Sequence, residues 1–468
     1  MVFSSLIFLF LFLPLTLIIY NIVPRKAKNL IILLVSLMFY AWGEPVYIVL
    51  ILISIIINYI GALLIRKNRR DEEKHKFIFV TLILIDVSIL FFFKYYGFFI
   101  ENINVLFGSS LSVRNLPLPL GISFYTFQLI SYIADVYMEK VKPQKNIVDF
   151  GAYVVMFPQL VAGPIVQYSD VEKQLKNRYE SLDKFGQGVR RFIIGLGKKV
   201  IIANNIGLIW VEIKNIPIEN ISVLSAWIGI ITFTLQIYFD FSGYSDMAIG
   251  LGKMFGFDFI ENFDYPYISK SITEFWRRWH ISLGSWFRDY LYIPLGGNRR
   301  GLRIQFRNLI IVWFATGLWH GASKNFIAWG LYFGILIFIE KLFLKKILDR
   351  IPTIFAHIYT MILVIVGWVF FDTDSLSSAI RYISVMFGFG DNILMDNVFK
   401  YILSTNFLIL AIAIICSTQI VSKFVRKVKF NMDGINLFLI VSIQFLILII
   451  SIAFIVSDTY NPFLYFRF

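Results

Sequence analysis

VYIVLILISIIINYIGALLI, residues 46–65, carries no charged side chain from end to end. It matches the length of about 20 apolar residues that a helix needs to cross the hydrocarbon core of a bilayer. In lipid every backbone N–H and C=O must bond within the segment itself, which leaves a helix or a closed barrel. A strand would alternate apolar and polar residues, and this run does not. Comparable runs occupy 6–20, 77–99, 226–249, 326–344, 359–371, 401–421 and 437–455, with shorter or interrupted ones between them. The pattern predicts an all-α integral membrane protein of roughly eleven or twelve transmembrane helices. Composition agrees: of 468 residues 58% are hydrophobic and 16% charged, and the mean hydropathy is +0.73.

The net charge of +14 is distributed by side. Lys and Arg gather in 25–28, 66–76, 138–145, 173–199, 277–307, 341–350 and 423–429. The intervening segments are poor in them: 41–45 has none, 101–117 only Arg114, 213–222 only Lys214 and 372–399 only Arg381. This alternation is the positive-inside pattern, with basic loops beside anionic lipid headgroups. It accounts for the charge without a nucleic-acid partner. It also places the chain in the cytoplasmic (inner) cell membrane with its amino terminus outside, because the first charges follow the first span. Met1–Ser5 is uncharged and no small-residue cleavage site follows Tyr20, so the first run reads as an uncleaved span rather than a secretory signal. The single cysteine, Cys416, lies in an apolar run, which rules out an intramolecular disulfide and reads as a small buried residue.

Without repeats, linkers or long extramembrane segments, residues 1–468 read as one polytopic domain. Its chemistry concentrates in about 117–330, where six of the ten Trp fall between Trp276 and Trp329. The stretch 155–168, containing MFPQLVAGPIVQY, is too interrupted by Pro and Gly for a clean helix. It is expected to be re-entrant and packed in protein.

Three stretches carry residues that are expensive at membrane depth. In QIYFDFSGYSDMAIG, 236–250, Asp240 and Asp246 sit in an otherwise apolar helix, with Tyr244 four residues after Asp240 and Ser242 four before Asp246. They read either as a structural set satisfied by Tyr, Ser or Arg groups or as a polar wall of a substrate tunnel. In SITEFWRRWHISLGSWFRDYLYIPLGGNRRG, 271–301, Trp276, Trp279, Leu283 and Trp286 recur at helical spacing while Arg277 and Arg288 fall on another face. That predicts an amphipathic, interfacial helix, with His280 beside its aromatic stripe. Arg277, Arg278, Arg288, Arg299 and Arg300, the last two next to a Gly-Gly turn, are candidates for binding the phosphates of a donor. In WFATGLWHGASKNFIAWG, 313–330, His320 stands between two apolar runs with Gly317 and Gly321 around it and Trp319 and Trp329 nearby. A membrane histidine can serve only to bond helices together. An imidazole near neutrality can also take a proton from a hydroxyl attacking a thioester. His75 and His357 read as incidental. No phosphate-binding loop, His-Asp acyltransferase box, Gly-x-Ser-x-Gly elbow or metal-ligand spacing is present in the sequence.

Beyond these residues the chain resembles the membrane-bound O-acyltransferase superfamily, in particular its alginate O-acetylation branch. The resemblance rests on six ordered blocks: MVFSSLIFLFLFLP at the start, LPLGISFYTFQLISYIADVY ending at Tyr137, FPQLVAGP at 157–164, YFDFSGYSDMAIGLG at 238–252, FWRRWHISL around His280 and GLWHGA at 317–322. It implies a helical fold around a central tunnel, with His320 at the near-invariant histidine and His280 at a second position that is Asn or His. Asp240, Tyr244, Asp246, Trp276, Trp279 and Trp319 would line the tunnel. It further implies acetyl-CoA as acyl donor, no metal, and a cell-envelope polysaccharide as the final acceptor, reached through an extracytoplasmic serine-dependent O-acetyltransferase. The branch that passes D-alanine to teichoic acid shares the histidine and stays open as an alternative. A polysaccharide or lipid transporter would also explain polar residues at depth, but not their convergence with the Trp and Arg residues.

Overall fold

The computed structural model describes residues 1–113, 117–161, 163–430, 434–457 and 464; Arg114 and Ala162 lie outside the described residues. Among these residues every regular element is a helix. Nine are long and apolar enough to cross a membrane: Arg25–Gly43, Ile48–Lys67, Glu72–Lys94, Leu182–Lys214, Val223–Met254, Lys324–Leu348, Thr353–Asp372, Asn397–Cys416 and Phe438–Ser457. Phe8–Ile22 is apolar but shorter. The expected eleven or twelve shrink because two further helices are short or polar. Ile122–Tyr137 has 16 residues and buries Ser123, Gln128, Ser131 and Asp135. Leu302–His320 carries Arg303, Gln305, Arg307 and Asn308 in its first turns.

The chain divides into two units, Met1–Phe192 with Ser245–Ile260, and Ile193–Tyr244 with Glu261–Phe468. In the first unit, helix Ile48–Lys67 packs on Glu72–Lys94 and Ile122–Tyr137, and Lys28–Gly43 packs on Ile147–Val155. Gly61 permits the first approach, since a Cβ there would fall 2.5 Å from Leu82. Asn58 donates to Asp86 at 2.9 Å inside the same contact. The described residues of 156–168 are buried apart from Gln167, and the Phe157 N–H is satisfied by Ser36 Oγ at 3.0 Å. Broken backbone is therefore packed against protein there, as the Pro and Gly residues require.

The second unit is organised by two helices, Leu302–His320 and Lys324–Ile339, which pack closely against each other. A Cβ on Gly330 would lie 2.2 Å from the Trp313 carbonyl oxygen, and one on Gly317 would lie 2.3 Å from that of Phe326. The glycines thus serve backbone-to-backbone approach rather than opening space around the His320 ring. Glu340, 1% exposed, accepts from the Ile272 and Thr273 N–H groups at 2.6 and 2.9 Å and from the Thr273 hydroxyl at 2.7 Å. It caps helix Ile272–Arg278, whose first N–H groups have no helical acceptor, and its charge suits the positive helix end.

Candidate active site

Residues 271–292 do not form one amphipathic helix. Helix Ile272–Arg278 stops, Trp279 is extended, and His280 takes a left-handed conformation (φ +43°, ψ +56°) before helix Ile281–Phe287 begins. Two backbone bonds to another segment impose the break, Asp264 N–H to Arg278 O at 3.0 Å and Ile281 N–H to Asn262 O at 2.9 Å. A positive φ is uncommon outside glycine and marks a position held by its surroundings. Asn and His are among the residues that tolerate it best.

That break turns the His280 ring inward, where it is 3% exposed. Its Nδ1 lies 3.0 Å from Asn262 Oδ1. The Ser282 hydroxyl and backbone N–H donate to that same atom at 2.9 and 3.3 Å. A backbone N–H can only donate, so this atom of Asn262 is the oxygen and His280 Nδ1 carries the hydrogen. Nε2 is then the basic nitrogen. Asn262 was not legible as a partner in the sequence, because 18 residues and a loop separate it from His280.

His320 closes helix Leu302–His320 and is 5% exposed. Trp319, Trp329 and Phe371 meet its ring edge-on with centroids at 5.0, 4.9 and 5.2 Å. Trp319 also packs on His280 at 6.0 Å, so one indole separates the two imidazoles. Beside His320 is a cavity lined by Ile237, Phe241, Trp279, His320, Trp329, Trp368 and Phe371. It measures about 10 Å³, room for one water or a methyl group. Phe241 joins it to His280, whose ring it meets at 4.7 Å.

The remaining expected site residues are placed differently. Trp279 lines the cavity; Trp276 instead packs on Trp313, Trp329 and Phe333. Asp240, Tyr244 and Asp246 do not line this cavity. Asp240 is paired with Lys199 at 2.6 Å and Asp246 with Arg191 at 2.8 Å. Both carboxylates are thus paired with cations: Asp246 with an arginine, one of the partners the sequence offered, and Asp240 with a lysine, where the sequence offered Tyr, Ser or Arg. Lys199, assigned by its sequence to a basic loop, is 3% exposed within Leu182–Lys214. Of the arginines, Arg278 is held by Glu274 and Asp264 and Arg288 by Asp289. Arg277, Arg299 and Arg300 are exposed, and Gly296, Gly297 and Gly301 all adopt the positive φ of the turn beside the last two.

Replacing His280 by Asn should lower turnover several-fold less than replacing it by Ala. Asn accepts a left-handed φ and keeps a side chain able to bond Asn262, whereas Ala strains at that φ and loses the bond. Parallel kcat measurements on the two variants check this; equal losses would show that imidazole proton transfer is required at position 280 as well.

The description MBOAT, membrane-bound O-acyltransferase family, matches residues 143–373. The chain is 40% identical over 491 aligned positions to the probable alginate O-acetylase AlgI of Pseudomonas putida, covering 100% of both proteins. It is 37% identical to the peptidoglycan O-acetyltransferase of Helicobacter pylori, over 83% of this chain and 80% of that one. Similarity to the teichoic acid D-alanyltransferase of Bacillus subtilis is 29%, over 50% of this chain and 61% of that one.

Proposed function

This chain belongs to the membrane-bound O-acyltransferase family, and from that membership we propose that it moves an acetyl group from cytoplasmic acetyl-CoA across the membrane for O-acetylation of a cell-envelope polysaccharide. The observation that carries the acyl identity is the cavity at His320. Its walls are carbon apart from the imidazole and three indoles, and its size of about 10 Å³ suits the methyl of an acetyl group. A D-alanyl group adds an ammonium that would need both more room and a polar partner. The full-length likeness to an alginate O-acetylase, against half-length likeness to a D-alanyltransferase, supports the same choice.

His320 acts as the base at the thioester, and the neutral His280, held by Asn262, orients or shuttles a proton beside it. Arg277, Arg299 and Arg300, exposed on the basic segment 277–307, meet the phosphates of the donor; Arg278 and Arg288 would first have to leave their carboxylates. The charge alternation puts this basic segment in the cytoplasm and the amino terminus outside. Outside the membrane, a serine-dependent partner transferase passes the acetyl group to the polymer.

Sealed vesicles of opposite orientation test the donor, its side and the acyl size together. Inverted vesicles should release CoA from added acetyl-CoA, right-side-out vesicles should not, and butyryl-CoA should turn over at least about tenfold more slowly, since pocket discrimination of one or two methylenes reaches that size. Consumption only by right-side-out vesicles would reverse the topology. Equal rates with both donors would remove the acetyl assignment.

A further inference from the structure

One residue lining the His320 cavity carries a donor that the reaction scheme above does not use. Trp329 lines it and is 1% exposed, and its indole N–H has no hydrogen-bond acceptor among the described residues. An indole nitrogen can only donate. A buried donor left without an acceptor is expensive, and such groups are rare enough in proteins to need a reason. A second cavity indole, Trp368, also has a buried N–H with no acceptor among the described residues, but its ring packs on Trp279 and Phe371, whereas Trp329 meets the His320 ring itself at 4.9 Å. Trp329 is also fixed in place. Its neighbour Gly330 abuts the Trp313 backbone, and its ring is boxed by Trp276, Phe333, Phe371 and His320 at 4.9 to 5.5 Å.

We propose that the Trp329 N–H donates to the acyl carbonyl oxygen and stabilises it as it becomes an oxyanion. The inference rests on the acyltransferase reading of His320. The acceptor hydroxyl gives its proton to the His320 imidazole while its oxygen bonds to the thioester carbon. The carbonyl π pair moves onto oxygen, where the Trp329 N–H meets it. The pair then returns, the C–S bond breaks with its electrons on sulfur, and the imidazolium returns the proton to give the free thiol. A donor fixed in an apolar site and unused until charge develops favours the transition state over the ground state, and removing one such donor lowers kcat by about 10²–10³-fold in comparable sites.

The test replaces the N–H while keeping a flat ring. Trp329→Phe should lower kcat for acetyl-CoA about 10²-fold, with KM changed less than about threefold. Its thermal midpoint in detergent should stay within the range that ring volume alone explains. A second variant carries benzothienylalanine at 329, which has the indole's shape with sulfur in place of N–H; it should show the same kcat loss at wild-type stability, and it decides the matter if Trp329→Phe folds poorly. His320→Gln is assayed alongside. Full kcat in the benzothienyl variant with an inactive His320→Gln overturns the oxyanion role alone. Full kcat in both removes the underlying reading of His320.

Discussion

His320→Ala and His320→Gln should both lose acetyl transfer by about 10²–10⁴-fold in kcat, the range a general base contributes. The two substitutions separate chemistry from packing. The His320 ring is enclosed by Trp319, Trp329 and Phe371, so Ala leaves a hole among aromatic rings and lowers stability as well. Gln fills much of that space and can hydrogen-bond, but it cannot accept and return a proton near neutral pH. Expression, membrane insertion and thermal midpoint of His320→Gln should therefore stay near wild type while kcat collapses. If His320→Gln retained activity within a few-fold of wild type, His320 would be a packing residue and the mechanism built on it would fall.

The second large effect is on stability. Lys199 and Asp240 form an ion pair at 2.6 Å with each residue about 3% exposed, and Asp240 also accepts the Leu464 N–H at 2.9 Å. Removing one partner strands the other charge away from water, which destabilises by about 3–5 kcal/mol. Lys199→Met should accordingly unfold well below wild type in detergent. Lys199→Met combined with Asp240→Asn should recover most of the loss, because the amide is uncharged and its oxygen still accepts from Leu464. A single variant as stable as wild type, or a double variant no better than the single, would show that the pair is not what secures these helices. The outcome also bears on function, since it separates Asp240 as an element of the scaffold from the tunnel wall that its sequence suggested.

What the sequence determined was the solvent and the chemistry. Uncharged runs such as 46–65 dictate helices in lipid because backbone polar groups have no other partners there, and the structure accordingly contains nine helices of spanning length among the described residues. The ordered blocks around His280 and His320 carried the family, and the loops' charge alternation carried the expected sidedness. Tertiary structure decided which polar residues lie near His320 and which are paired elsewhere. Helical periodicity extended the Trp276–Trp286 stripe through His280, but pairing with Asn262 and Asp264 breaks the helix there and turns His280 inward. Asp240 and Asp246 read either as a structural set or as a tunnel wall because carboxylates are scarce at depth; their cations, Lys199 and Arg191, lie 41 and 55 residues away in sequence. Phe241, Trp368 and Phe371 carry no chemical signal of their own. They become walls of the His320 cavity only because distant helices converge on one ring, and neither spacing nor composition encodes a contact of that range.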